Sequence, residues 1–171
     1  MLAAAAFAME NSTVPATAPA DFQAGLFNGY NGADLRTAVN ACFKPDQKMA
    51  DDTDAFIAAI KAKEWSTVMG TIKGDEAMAL DDADACINDP TYVDVHDAYY
   101  LQQDQVEAAH ADPDWQIKAG KALLPHRKEI KANMADAVAK WDSGDYYGAG
   151  QAIGKIDAIV FAPWEKNSFL Q

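Results

Sequence analysis

Apolar residues recur three or four positions apart along most of this chain, the period of a helix with one buried face. Phe22, Leu26, Phe27 and Tyr30 open the pattern, and Gly29 and Gly32 read as a break after it. Leu35, Ala38, Val39, Cys42 and Phe43 predict a second, short helix stopped by Pro45. From Asp46, the positions Met49, Thr53, Phe56, Ile57 and Ile60 predict an amphipathic helix whose other face is acidic, turning near Glu64. Trp65, Val68, Met69 and Ile72 start another. Ala77, Leu80, Ala83, Ala85, Cys86 and Ile87 carry it past Gly74 until Asn88-Asp89-Pro90 ends it.

Tyr92 through His110 reads as one long helix, with Tyr92, Val95, Tyr99 and Val106 among its larger apolar residues. Asp112-Pro113-Asp114 is a start signal, since proline is favoured in a first turn. The helix it opens holds Trp115, Ile117, Leu123 and Leu124 before Pro125, which lacks an amide donor and must kink or restart it. Ile130, Met134, Ala137, Val138 and Trp141 resume the spacing. Asp142-Ser143-Gly144-Asp145 then makes a turn that supplies an N-cap to a last helix running to Phe161, closed by Pro163. No alternating strand pattern competes, and heavy use of alanine beside sparse Val and Ile suits helices best. The expected fold is all-α, a compact bundle of roughly six to eight helices. Residues 1–20 are expected to be an extended N-terminal arm or signal remnant, 21–162 the helical domain and 163–171 a C-terminal tail.

Half of the 171 residues are hydrophobic, enough to build a core and to exclude general disorder. The formal net charge of −12 repels phosphate backbones, so no nucleic-acid partner is expected. That charge is unevenly divided. Residues 46–114 hold 17 acidic and 4 basic side chains, a net of −13, whereas residues 115–140 hold 6 basic and 2 acidic, a net of +4. Either the basic helix packs beside the acidic ones within one molecule, or opposite ends meet between subunits and favour head-to-tail assembly.

No apolar run approaches the ~20 residues that span a bilayer, so no membrane span is expected. Met1 to Ala8 looks like the end of a secretory signal, with a small-x-small site at Ala6-Phe7-Ala8 and no basic residue before it. Cysteine count alone does not separate one disulfide from two buried thiols. The secretory-looking start and the glycosylation sequon at Asn11 (Asn11-Ser12-Thr13) favour a Cys42–Cys86 disulfide and a secreted, extracellular location. Closing a loop of about 44 residues is worth about 4 kcal/mol in the chain-entropy model.

The segment Trp141-Asp142-Ser143-Gly144-Asp145-Tyr146-Tyr147-Gly148-Ala149-Gly150-Gln151-Ala152-Ile153-Gly154, followed by Ile159-Val160-Phe161, resembles the closing signature of a family of uncharacterised secreted protist proteins of ciliate type. The opening helix from Phe22 to Tyr30 and the pair Cys42 and Cys86 are similar to that family too, so the resemblance covers residues 22–161. Pro125 and the long arm before Phe22 depart from its pattern. The resemblance implies secretion, a helical bundle and the disulfide. It implies no catalytic residues.

Candidate chemistry is thin. Glu107-Ala108-Ala109-His110 has the ExxH spacing of di-iron bundles, but a second ExxH and two more glutamates are missing. The clusters Asp51-Asp52-Thr53-Asp54, Asp81-Asp82-Ala83-Asp84 and Asp89 to Asp94 match no EF-hand loop. They allow weak divalent-cation binding by an acidic face, against a simply solvated surface. His96 and Asp97, adjacent on a helix, are expected to point apart and to form no triad. With no G-x-S-x-G, G-x-G-x-x-G or Walker motif, neither enzymatic activity nor a cofactor is expected.

The closing helix carries the remaining signal. Gly costs about 1 kcal/mol per helix-interior position relative to Ala. Gly144/Gly148 and Gly150/Gly154 share a small-xxx-small spacing that permits close approach, either tight packing inside the domain under a tryptophan, or a face that receives a partner chain or an apolar ligand. Tyr146 and Tyr147 beside them, like Tyr99 and Tyr100, cannot both face one core, and are candidates to rim an interface. Apolar ends, divided charge and absent chemistry favour a structural protein that assembles head to tail with copies of itself, even into a filament. The alternative is a secreted carrier holding a lipid or other apolar ligand among the tryptophans, Phe27, Phe56 and Met69.

Overall fold

A helix near the start of the chain and the helix that closes it run against each other as a spine, and the rest packs on either side. The structure, a computed structural model, describes residues 13–64, 67–68 and 84–164. Among the described residues every regular element is helical: α1 (Ala18–Asn31), α2 (Arg36–Cys42), α3 (Gln47–Ala62), α4 (Asp84–Ile87), α5 (Val93–His110), α6 (Trp115–Leu123), α7 (Arg127–Asp142) and α8 (Tyr146–Phe161). Single 3-10 turns at Pro90–Tyr92 and Ala162–Trp164 precede α5 and follow α8.

Local chemistry sets the boundaries. The Asp46 carboxylate accepts the Met49 N–H and so caps α3, and Asp145 caps α8 by accepting the Gly148 N–H. Gly32 ends α1 in the left-handed region at φ 80°, where a residue without Cβ is unstrained. Pro125 divides α6 from α7, because it can donate no hydrogen bond to the preceding turn.

α1 is buried on two sides. Phe22 and Leu26 enter a larger core with Ile57 and Ile60 of α3, Ile130 and Trp141 of α7, and Ile153 and Val160 of α8. Ala24 and Phe27 enter a smaller core with Val39 of α2, Cys86 of α4, and Val95 and Ala98 of α5. Each fully buried aliphatic or aromatic side chain is worth about 1.5–3 kcal/mol. α5 serves both cores, since its later residues Val106 and Ala109 lie in the larger one.

Three boundaries differ from the sequence reading. α1 starts at Ala18, inside the segment assigned to an arm, because Pro19 occupies a first-turn position where its missing N–H costs nothing. Val14 is buried, the Gln47 amide donates to its carbonyl at 3.2 Å, and the Asp46 N–H donates to Ala16 at 3.0 Å. Residues 14–20 therefore pack on their own domain. Gly29 is not a break, since α1 runs through it to Asn31. At the other end, the Trp164 indole donates to Asp112 at 3.0 Å, so the packed domain passes 162.

The apolar start Met1 to Ala8, Asn11, Trp65, Met69, most of the predicted helix between them and Asp84, and the apolar residues Phe169 and Leu170 lie outside the described residues.

Candidate functional site

The glycines of the closing helix divide into different jobs. A Cβ added at Gly150 would overlap the Phe22 carbonyl oxygen, and one at Gly154 would overlap that of Leu26. The relation is reciprocal: a Cβ at Gly25 would meet the Tyr147 carbonyl, and one at Gly29 that of Gln151. Two small-xxx-small pairs thus interlock backbone to backbone, and the Gln151 side-chain amide donates to Asn28 Oδ1 at 2.6 Å across the same crossing. Neither a tryptophan nor a partner chain covers Gly150 and Gly154; α1 does. Gly148 faces its own capping carboxylate, Asp145, with the Lys140 stem alongside. Gly144 is a turn residue at φ 82°, with open space around it, and packs on nothing. Sequence reasoning missed Gly25 and Gly29, although their spacing carries the same signal as Gly150 and Gly154.

Tyr146 and Tyr147 split between cores. Tyr146 stacks edge-on against Trp141 at 4.8 Å between ring centres, and Trp141 meets Phe22 at 5.7 Å. The Trp141 indole N–H donates to Asp54 at 2.7 Å, which satisfies the polar edge of a buried ring. Tyr147 turns to the smaller core, with the Arg36 guanidinium 4.9 Å from its ring centre. Burial raises the Tyr147 hydroxyl pKa, and the Asp34 carboxylate adds to the rise. Arg36 Nε and the Asn40 amide both donate to Asp21 at 2.9 Å. Burial pushes the Asp21 carboxyl up, but these donors outweigh it and hold it below its ordinary value. This ring, guanidinium and carboxylate staple α2 to α1 and α8.

Cys42 and Cys86 form the disulfide, with Cα atoms 5.1 Å apart, joining the end of α2 to α4 under the smaller core. Asp52 pairs with Lys48 at 2.7 Å, Asp51 accepts from Gln47 at 2.9 Å, and Asp54 holds Trp141. Asp89 caps the turn before α5 by accepting the Thr91 N–H, which lowers its pKa. Asp81 and Asp82 lie outside the described residues. Among the described residues no three His, Cys, Asp or Glu side chains gather closely enough to hold a metal ion. Glu107 and His110 are both exposed, and Glu107 accepts from Gln103 at 3.0 Å.

His96 and Asp97 depart from expectation: their side chains meet at 3.0 Å, because both lean over the exposed side of α5, where His96 also contacts the Tyr100 ring. Phe27 and Phe56 belong to different cores.

Two apolar faces point outward instead. On α5, Val93, Tyr100 and Leu101 are 53 %, 46 % and 49 % exposed; on α6 and at its C-cap, Ile117 and Leu124 are 57 % and 68 % exposed. Sequence periodicity placed Ile117 and Leu124 with Trp115 and Leu123 as one helical set. The structure packs only Trp115 and Leu123 against the core. Among the described residues no helix is long and apolar enough to cross a membrane. No protein-family model, curated protein or solved structure matches this chain.

Proposed function

We propose that this chain is a non-enzymatic, secreted structural protein that assembles head to tail with copies of itself into an open filament. The observation that carries this reading is how its divided charge is arranged. Lys121, Arg127, Lys128 and Lys131 are exposed, and none forms an ion pair among the described residues. Within 115–140, Lys118 reaches the acidic block, but only to Asp112 six residues away. Lys140 pairs with Asp136 of its own helix, and His126, the residue before α7, meets Glu129 in its first turn. The positive surface of α6 and α7 is thus left for an external partner, and the chain's own acidic surface offers one of opposite sign. A surface joined to a different surface on the next copy repeats without closing unless the rotation forms a ring. The disulfide supports an oxidising compartment, and any divalent cations are held only as loose counter-ions of the acidic face.

Sedimentation velocity and negative-stain microscopy of the oxidised protein test this reading. Sedimentation coefficients are expected to rise with concentration at low ionic strength and fall as salt screens charges beyond about 10 Å at 0.1 M. A monomer at every concentration and salt would overturn it.

A further inference from the structure

The outward faces of α5 and α6 carry the same pattern with opposite charge. On α5, Val93, Asp97 and Tyr100 follow each other at i, i+4 and i+7, with Leu101 beside Tyr100. Along α6 and its helical C-cap, Ile117, Lys121 and Leu124 occupy i, i+4 and i+7. Residues at these intervals share one side of a helix, so each face is an exposed apolar pair about 10 Å apart with one charge between. Acidic Asp94 follows Val93 at the first face, and Lys128 follows the second in sequence, at the start of α7 beyond the Pro125 break; both are exposed. Among the described residues, neither apolar face is covered by the core.

We propose that the α5 face of one molecule docks on the α6 face of a second copy, Asp97 against Lys121 and the flanking apolar residues against one another. The proposal rests on the self-assembly reading above and supplies its surface. Two α6 faces, or two α5 faces, would oppose like charges, so charge selects the unlike pairing, and where the two contacts of one copy go to two different neighbours the contact is heterologous. Each copy offers both faces, and so each bound copy presents a fresh face to the next. The apolar pairs supply burial on contact, and the charges supply the pairing rule and the salt dependence.

Two double variants test the surface: Asp94→Lys with Asp97→Lys, and Lys121→Glu with Lys128→Glu. All four positions are exposed, and unchanged far-UV circular dichroism verifies that the fold is kept. Each variant alone presents two faces of one sign and is expected to sediment as a monomer where the wild type associates. An equimolar mixture of the two is expected to regain association, because both alternating contacts are again of opposite sign. If the wild type associates and the variants associate equally well, the self-assembly reading survives and this surface is wrong. If the wild type never associates, both fall together.

Discussion

The carbonyl oxygen of Phe22 lies where a β-carbon at position 150 would stand, and Gly25 meets the Tyr147 carbonyl in the same way from the opposite helix. Backbones this close leave no side chain to give way, so the glycines of the crossing are required by space. Dispersion contacts between the two main chains return what the glycines lose in helix propensity.

Gly150→Ala is therefore expected to destabilise the protein. Overpacking costs about 1–3 kcal/mol and more where backbone must move, against about 1 kcal/mol gained in propensity. A net loss of about 2 kcal/mol in denaturant unfolding is the expected result. Gly120→Ala is the opposing control, since its Cβ would meet nothing within 4 Å. It is expected to stabilise by up to about 1 kcal/mol. Equal effects at the two positions would dismiss the interlock.

Reduction of Cys42–Cys86 releases a loop spanning 44 positions, and the loss is expected to approach about 4 kcal/mol. Cys86 is buried among Val39, Phe43 and Val95, so a Cys42→Ser, Cys86→Ser double variant should lose a similar amount. Chemical denaturation with and without reductant checks this. A wild type indifferent to reductant would show that the crosslink does not constrain the unfolded chain as argued.

Helical class, the start of α3 after Asp46, the Asp145 cap and the Pro125 break could be read from residue order, because each depends on groups within a turn or two; the disulfide needed the secretory-looking start and the sequon beside the cysteine count. The partner of the glycine face could not. Gly150 lies far from Phe22 in sequence, and the matching pair Gly25 and Gly29 was hidden by reading Gly29 with Gly32 as a break. Periodicity also failed on α6. Its apolar residues are spread widely enough to place Trp115 and Leu123 inward and Ile117 and Leu124 outward, and only packing decides which arc is covered. The contact between His96 and Asp97 was missed because neighbours on a helix usually diverge, whereas here both side chains bend over one exposed edge.

Trp141 joins three elements: its ring lies against Phe22 of α1 and Tyr146 of α8, and its indole N–H reaches Asp54 of α3. Trp141→Phe keeps most of the apolar contact and removes the donor. Hydrogen bonds to charged groups contribute about 1.5–3 kcal/mol, so a loss in that range is expected. Asp54→Asn retains an acceptor and should cost less. Urea unfolding of both variants checks the order, and an Asp54→Asn loss exceeding that of Trp141→Phe would contradict the role given to the indole.

Asp21 supplies an acid-side sensitivity whose sign is fixed by its partners. Burial raises its pKa, but the Arg36 and Asn40 donors prevail, leaving the folded carboxyl below the ordinary 3.8. A depressed folded pKa stabilises the fold above the unfolded value, and that contribution is lost as pH falls through the folded one. The pair is partly exposed, so screening keeps the effect modest. The stability difference between wild type and Asp21→Asn should be constant near neutrality and shrink from about pH 4 downward. Arg36→Leu should weaken the same acid-side slope by removing the strongest donor. Parallel pH–stability curves for wild type and Asp21→Asn down to about pH 2 would show that the carboxylate gains nothing on folding.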